Sequence, residues 1–417
     1  MVNNKKKLTI ILFVGFLFVY FIGSFSKVPF GDSVDFVLNA ERGTFINSTS
    51  TYAHFLYSNT LVLLTKALPF AEGREIARWL TIVSAALCVP ILYKTCLLIT
   101  KSNLASLTAS IVFGLGFSFW KNAEIVEIYT FNLLIISLFF YLVILTILSK
   151  RYILIIYSAI ILGISLFSHI QNVLIFPAFG VLILLIVPKK IKYISITILG
   201  ALFLGLFIFP LKNNEPLSSV YSSGVVSEKI SNTNILKSLL IAIGYLVYNF
   251  WYFLISSILG MFLLYKKNKL LFFFLTGSAL PIFIFSIIFG VSDNYVYFIP
   301  FNYILAIFLG LGVSDVISLK LRQWLAKSVI LIPAFYFLTY KIIIQIPQAE
   351  NFAKSKSYKG GLKYYLLPWM NNNVGILEFT LDKKIPPEPV DWMTKSAEEY
   401  IYLLKIKGYT EKEIKEL

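Results

Sequence analysis

The feature that most constrains this chain is the recurrence of long apolar runs separated by short clusters of lysine. The first is LTIILFVGFLFVYFIGSF, Leu8 to Phe25. A helix needs roughly 17 to 25 apolar residues to cross a bilayer core of about 30 Å, and this chain offers that length again and again. Of its 417 residues, 58% are hydrophobic and 14% charged, more apolar surface than a soluble domain of this length can bury. The reading is an all-α polytopic membrane protein. Spans are expected near 8–26, 76–98, 103–119, 131–148, 153–169, 173–187, 191–210, 238–265, 270–289, 298–317 and 328–346, eleven in all. The two within 153–187 are short enough to form one tight hairpin instead. The first run follows MVNNKKK and resembles a signal peptide, but it is long and no A-x-A site follows. An uncleaved span is expected, with cleavage near GSFS as the alternative.

The formal charge of +16 does not point to nucleic acid, because the basic residues sit in small groups between apolar runs. Lys5–Lys7, Lys94 and Lys101, Lys150 and Arg151, Lys189–Lys192, Lys266–Lys269 and Lys320–Lys327 all fall on one side if the N-terminus is cytoplasmic. That is the bias expected of cytoplasmic loops. Of the acids before residue 347, only Asp315 lies near an inner helix end. The others gather on the outer side, which the charge rule does not require. Cys88 and Cys96 lie within one apolar segment and read as buried small side chains.

The segment Tyr52 to Phe70 is long enough to span, but a crossing there would move every later basic loop outside. It carries Lys66, with His54, Ser58 and Thr65 on one helical stripe. It is expected to lie at the outer interface or packed against the bundle, so that the first outer loop runs from Lys27 to about Glu75 and holds two helices. Residues 1–346 then form the transmembrane domain and 347–417 a small C-terminal extracytoplasmic domain or tail. In that tail GILEF reads as a strand, IPPEP as a turn, SAEEYIYLLKIKG as a helix, and Thr410 with Glu413 as a capping box.

Ionisable residues are nearly absent from the spans, which argues against an ion-coupled transporter or proton pump. The chemistry is on the outer face. Asp32 and Asp35 in GDSVDFVLNAERG can cap a helix ending at Gly43 and, since a capping aspartate is held rigidly, can also take a proton from an incoming hydroxyl. Glu124 and Glu127 are three apart, with Trp120, Lys121, Tyr129 and Asn132 around them. His169 lies between two short spans with Gln171 and Asn172, and Asp293 and Asn294 form a turn before a later span. No P-loop, GxSxG, CxxC or HExxH motif is present.

GDSVDF after the first span, FWKNAEIVEIYTFN after the third, LFSHIQNVLIFP at the fifth and DNYVYFIP before the tenth, in that order, resemble one membrane family. It is the GT-C-like glycosyltransferase family of formerly unknown function that includes the animal transmembrane protein O-mannosyltransferase. On that resemblance Asp32, Ser33 and Asp35 fill a GDS-acid motif. Trp120, Glu127, Tyr129 and Asn132 fill a second motif, and Gly163 with His169 a third. The resemblance covers residues 8 to 320. It departs in the first outer loop, where the family's His-Pro-Pro-Gly turn is replaced by STSTYAHFLY and only Leu56–Tyr57 is kept.

The resemblance implies a GT-C-like bundle. It also implies transfer of a sugar, a hexose such as mannose, from a polyprenyl-phosphate donor to a hydroxyl on a protein or glycan acceptor. Asp32, Asp35 and Glu127 are the catalytic candidates. Ser33, His54, Tyr57, Trp120, Lys121, Glu124, Tyr129, Asn132 and His169 are candidates for binding substrate. A cation should steady the leaving phosphate, and Arg42, Arg74, Arg78, Lys121 and His169 are open for that role. The acids leave room for a divalent metal without naming its ligands. A lipid or glycan flippase, or a scaffold without catalysis, remains the alternative.

Overall fold

The computed structural model describes residues 2–221, 234–289, 294–315, 318–385 and 390–417. Asp293 and residues 386–389 of the proline-rich turn lie outside them. Seven helices among the described residues are long and apolar enough to cross a membrane by themselves, beginning with Lys6–Gly23, Gly73–Thr100 and Ile128–Ser149. Two further pairs qualify only as bent units, and Leu154–Ser165 and Ile170–Ile186 are shorter apolar helices. The chain is an integral multi-pass membrane protein. Each expected run is mainly helical among the described residues, but the count of eleven full spans is not reproduced.

The two bent units show how backbone is satisfied where a helix breaks. Asn103–Gly114 and Phe117–Glu124 meet at 61°. The break exposes carbonyls that lipid cannot hydrate. Tyr20 Oη donates to the Gly114 carbonyl at 2.8 Å and Tyr336 Oη to that of Leu115 at 2.9 Å. The Asn249 side chain accepts from the Ser118 N–H at 2.8 Å and so starts the second half.

The expected single span at 238–265 is two helices, Ile235–Phe250 and Phe253–Lys267, at 99°. The turn is at Trp251, whose φ of 49° is left-handed. There the indole leaves the helix to stack on Phe335, with ring centroids 4.7 Å apart. Hydropathy cannot detect such a break, because the residues on both sides are equally apolar.

The loop after the first span holds two helices as expected, Ser33–Arg42 and Phe55–Ala67. Gly43 ends the first in the left-handed conformation, and its N–H donates to the Asn39 carbonyl. The second docks through the Leu56 N–H on the Phe167 carbonyl, 2.8 Å away.

The tail contains no strand among its described residues, so the strand expected at GILEF is corrected. Ile376–Leu381 is a helix that buries Ile376, Leu377 and Phe379, while Glu378 reaches Lys27 at 2.6 Å. Burial at positions 1, 2 and 4 is helical spacing; a strand would bury alternate residues. The helix Asp391–Ile406 and the Thr410–Glu413 capping box form as read.

The tail lies along the loop that follows the first span. The Ile376 N–H donates to the Val28 carbonyl at 2.9 Å, and the Val28 N–H to that of Leu417 at 2.7 Å. Phe30, Val34, Phe36 and Tyr57 of the loop share one apolar cluster with Phe379, Tyr400 and Leu404 of the tail.

Candidate functional site

A cavity of about 940 Å³ opens between the first loop helix, the connection around His169, the ends of the later spans and the tail helix Asp391–Ile406. Asp32, Asp35, Arg42, His54, Tyr129 and His169 all line it, so six of the sequence candidates meet although 137 positions separate the first from the last. Phe285, Phe289 and Leu174 form an apolar flank.

Asp32 occupies the N-cap position of Ser33–Arg42, but its backbone is helical (φ −65°, ψ −14°) and its side chain makes no cap bond. The capping role expected for it is therefore not taken up. Its charge is felt at the Tyr297 hydroxyl on the cavity wall. Asp35, one turn on, accepts from Ser396 Oγ at 3.4 Å and from Asn39 Nδ2 at 3.3 Å. Burial pushes its carboxyl above the usual aspartate range, against the pull of the Ser396 bond and the Arg42 charge.

The two histidines face each other with ring centroids 5.7 Å apart. His54 Nδ1 donates to the Ser168 carbonyl at 3.3 Å, and His169 Nδ1 accepts from the Gln171 N–H at 3.2 Å. These bonds leave an acceptor nitrogen on His54 and a donor nitrogen on His169. Tyr129 and Tyr297 flank His169, each 5.9 Å from it between centroids. Gln171 holds the Tyr297 carbonyl at 2.9 Å.

Burial holds the His54 imidazole down to about 4 and that of His169 to about 3, the latter lowered further by His54. Both are neutral in the fold at pH 6, whereas an unfolded histidine with a pKa near 6.5 is then largely protonated. The unfolded state binds more protons below pH 6.5, so folding stability falls as pH drops from about 6.5 towards 4. Thermal unfolding of the detergent-solubilised protein is expected to show this loss between pH 7.5 and 5. His169→Gln should flatten it by about 1.4 kcal/mol per pH unit.

The remaining candidates lie elsewhere. Ser33 Oγ donates to the Val126 carbonyl at 2.9 Å and fixes the loop helix to the segment before Ile128–Ser149. Glu127 is 9% exposed, and its Oε1 lies 3.5 Å from where a Cβ on Gly31 would stand, which puts it beside the residue that precedes Asp32. Tyr57 is fully buried against Phe36 and faces the Thr81 hydroxyl. Asn132 accepts from Asn172 Nδ2 at 2.7 Å and joins two helices.

Glu124 is turned away from the cavity. It accepts from the Trp120 indole and, at 2.9 Å, from the Met370 N–H, tying the tail to the bundle. Lys121 is fully buried, with Nζ 3.4 Å from the Tyr364 ring centroid and bonded to the Tyr364 carbonyl. Arg78 holds Ser24 Oγ through Nε at 2.8 Å, and Arg74 lies between Glu72 and Glu75. Neither arginine lines the cavity.

Sequence reasoning missed Trp392, Lys395, Ser396 and Glu399, which the tail contributes to the wall, together with Tyr52 and Tyr297. Tyr297 lies within DNYVYFIP and could have been found there; the tail residues carry no motif. Arg42 is paired with Glu399. Lys395 lines the cavity, is exposed, and forms no ion pair among the described residues. Among those residues no three His, Cys, Asp or Glu side chains gather to hold a metal ion.

No family model and no curated protein matches this chain. Among solved structures it is similar to ArnT from Cupriavidus metallidurans bound to undecaprenyl phosphate, with a TM-score of 0.59 at 10% identity, covering 95% of this chain and 75% of that one. It is also similar to the same protein in its apo state, with a TM-score of 0.54 over the same shares. The likeness shows the fold, the GT-C-like bundle expected from the sequence.

Proposed function

We propose that this chain is a membrane glycosyltransferase that moves a sugar from a polyprenyl-phosphate donor to a hydroxyl acceptor at the extracytoplasmic surface. The observation that carries the reading is the cavity itself. Two aspartates, two neutral histidines and four tyrosines face an apolar flank, in a fold similar to one solved with undecaprenyl phosphate. The volume is of the size that encloses a small ligand.

In this reading the isoprenoid lies against Phe285, Phe289 and Leu174, with the sugar towards Asp32. The acceptor hydroxyl gives its proton to Asp32 as its oxygen attacks the anomeric carbon. The bond from that carbon to the phosphate oxygen breaks, and the electron pair leaves with the polyprenyl phosphate. Negative charge grows on that phosphate in the transition state. Lys395 is the cation assigned to it, since Arg42 is already paired. No step is routed through a metal. The resemblance in the sequence supports a hexose such as mannose and a protein or glycan acceptor. The lysine clusters support a cytoplasmic N-terminus and an extracytoplasmic C-terminus.

The test is transfer of radiolabelled sugar from a polyprenyl-phosphate donor in membranes containing the full chain. Lys395→Gln is expected to lower turnover roughly 10²-fold, with Lys395→Arg keeping most of it. Label that crosses the membrane without forming a covalent product would instead favour a flippase.

A further inference from the structure

On the transferase reading, on which this assignment rests, we infer that His54 and His169 together read one hydroxyl group of the transferred sugar. The hydroxyl donates a hydrogen bond to Nε2 of His54 and accepts one from Nε2 of His169.

The backbone around the pair sets the two rings in opposite senses. The Ser168 carbonyl can only accept, so His54 Nδ1 carries the hydrogen and its Nε2 offers a lone pair. The Gln171 N–H can only donate, so His169 Nδ1 is bare and its Nε2 carries the hydrogen. Both rings line the cavity, one presenting an acceptor and the other a donor. A hydroxyl does both from a single oxygen. Two ordinary hydrogen bonds meeting at one oxygen span roughly 5 Å, comparable with the 5.7 Å between the ring centroids. A phosphate oxygen only accepts and would face the His54 lone pair. A metal ion would need a lone pair from each ring, and His169 presents a hydrogen instead.

His54 is held in place against its own backbone preference. Its φ of 43° and ψ of 51° are left-handed, where a residue with a Cβ is strained. The Leu56 N–H on the Phe167 carbonyl, at 2.8 Å, and Ser58 Oγ on the Ala53 carbonyl, at 3.0 Å, clamp the segment there. Glycine would relieve the strain but would bring no ring to the cavity.

The surroundings place the pair on the donor side. Ile170 and Leu174, on the short helix that follows His169, line the cavity, and Leu174 belongs to the flank assigned to the isoprenoid. Tyr297, whose hydroxyl feels the Asp32 charge, flanks His169 on one side, and Tyr129 is equally close to it. Aromatic walls with a few fixed polar groups suit a small ring that carries hydroxyls.

The test measures kcat/KM for transfer in membranes containing the full chain. Polyprenyl-phosphate mannose and polyprenyl-phosphate glucose are the probes, each beside analogues lacking one ring hydroxyl. The wild type is expected to disfavour one deoxy analogue by roughly 10²-fold or more, because both imidazoles then lose their partner. His54→Gly removes one ring at a position that glycine suits. His169→Asn keeps an acceptor for the Gln171 N–H and removes Nε2. In either variant the discrimination is expected to shrink at least roughly tenfold. A merely structural pair would slow transfer from intact and deoxy donors alike, and that unchanged ratio overturns the assignment. Equal use of intact and deoxy donors by the wild type also overturns it, since the hydroxyl read would not belong to the donor. No transfer by the wild type from any donor overturns the transferase reading itself, and this assignment with it.

Discussion

Asp32→Asn is expected to reduce sugar transfer by 10² to 10⁴-fold, the usual worth of a positioned general base, while leaving the protein folded. Asparagine keeps the size of the side chain and loses the basic oxygen. No cap bond is lost, because the Asp32 side chain makes none to its helix. Asp35→Asn should cost less. That carboxylate is already engaged by Ser396 and Asn39, and one amide oxygen can still accept. The measurement is product formed per mole of folded protein, with melting temperature read in parallel. Full activity in Asp32→Asn would remove the catalytic assignment. A fall matched by a lower melting temperature would assign Asp32 to the fold.

Gly312→Ala is expected to destabilise the bundle by about 3 kcal/mol or more, among the largest structural effects of any single methyl group here. A Cβ on Gly312 would stand 1.9 Å from the Ser256 carbonyl oxygen, and one on Gly260 would stand 1.8 Å from that of Phe308. The helices Phe253–Lys267 and Ile299–Asp315 therefore touch backbone to backbone. No rotamer relieves that contact, so the helices must separate. Small residues at such a contact are what lets two helices approach closely in a membrane. Gly244→Ala is the control, since a Cβ there meets nothing within 4 Å; it should be neutral or stabilising by up to about 1 kcal/mol. Thermal stability by size-exclusion chromatography in detergent reads both. An unchanged melting point for Gly312→Ala would mean that the two helices do not pack this tightly.

The candidate site was legible in part, and the division is instructive at Glu124 and Glu127. They are three residues apart, and a helix through both would put them on one face. The helix ends at Glu124, and Ile125 is extended. One carboxylate consequently turns to Trp120 and Met370, while the other lies beside Gly31. From sequence alone Lys121 is a phosphate-binding candidate, because it is basic and close to the end of an apolar run. It lies instead among Phe117, Tyr295 and Tyr364, none of which is near it in sequence except Phe117.

By itself the sequence determined the membrane class, the helical runs, both loop helices and the final capping box. Those properties are local. A bilayer compels each crossing backbone to satisfy its own hydrogen bonds, so hydropathy and end signals suffice to place helices. Only the tertiary structure decided where helices bend at Leu115 and Trp251, which carboxylates share a cavity, and that the tail supplies Lys395 and Ser396 to it. Those outcomes depend on contacts between residues hundreds of positions apart, as when Asp35 meets Ser396. No periodicity along the chain records such contacts.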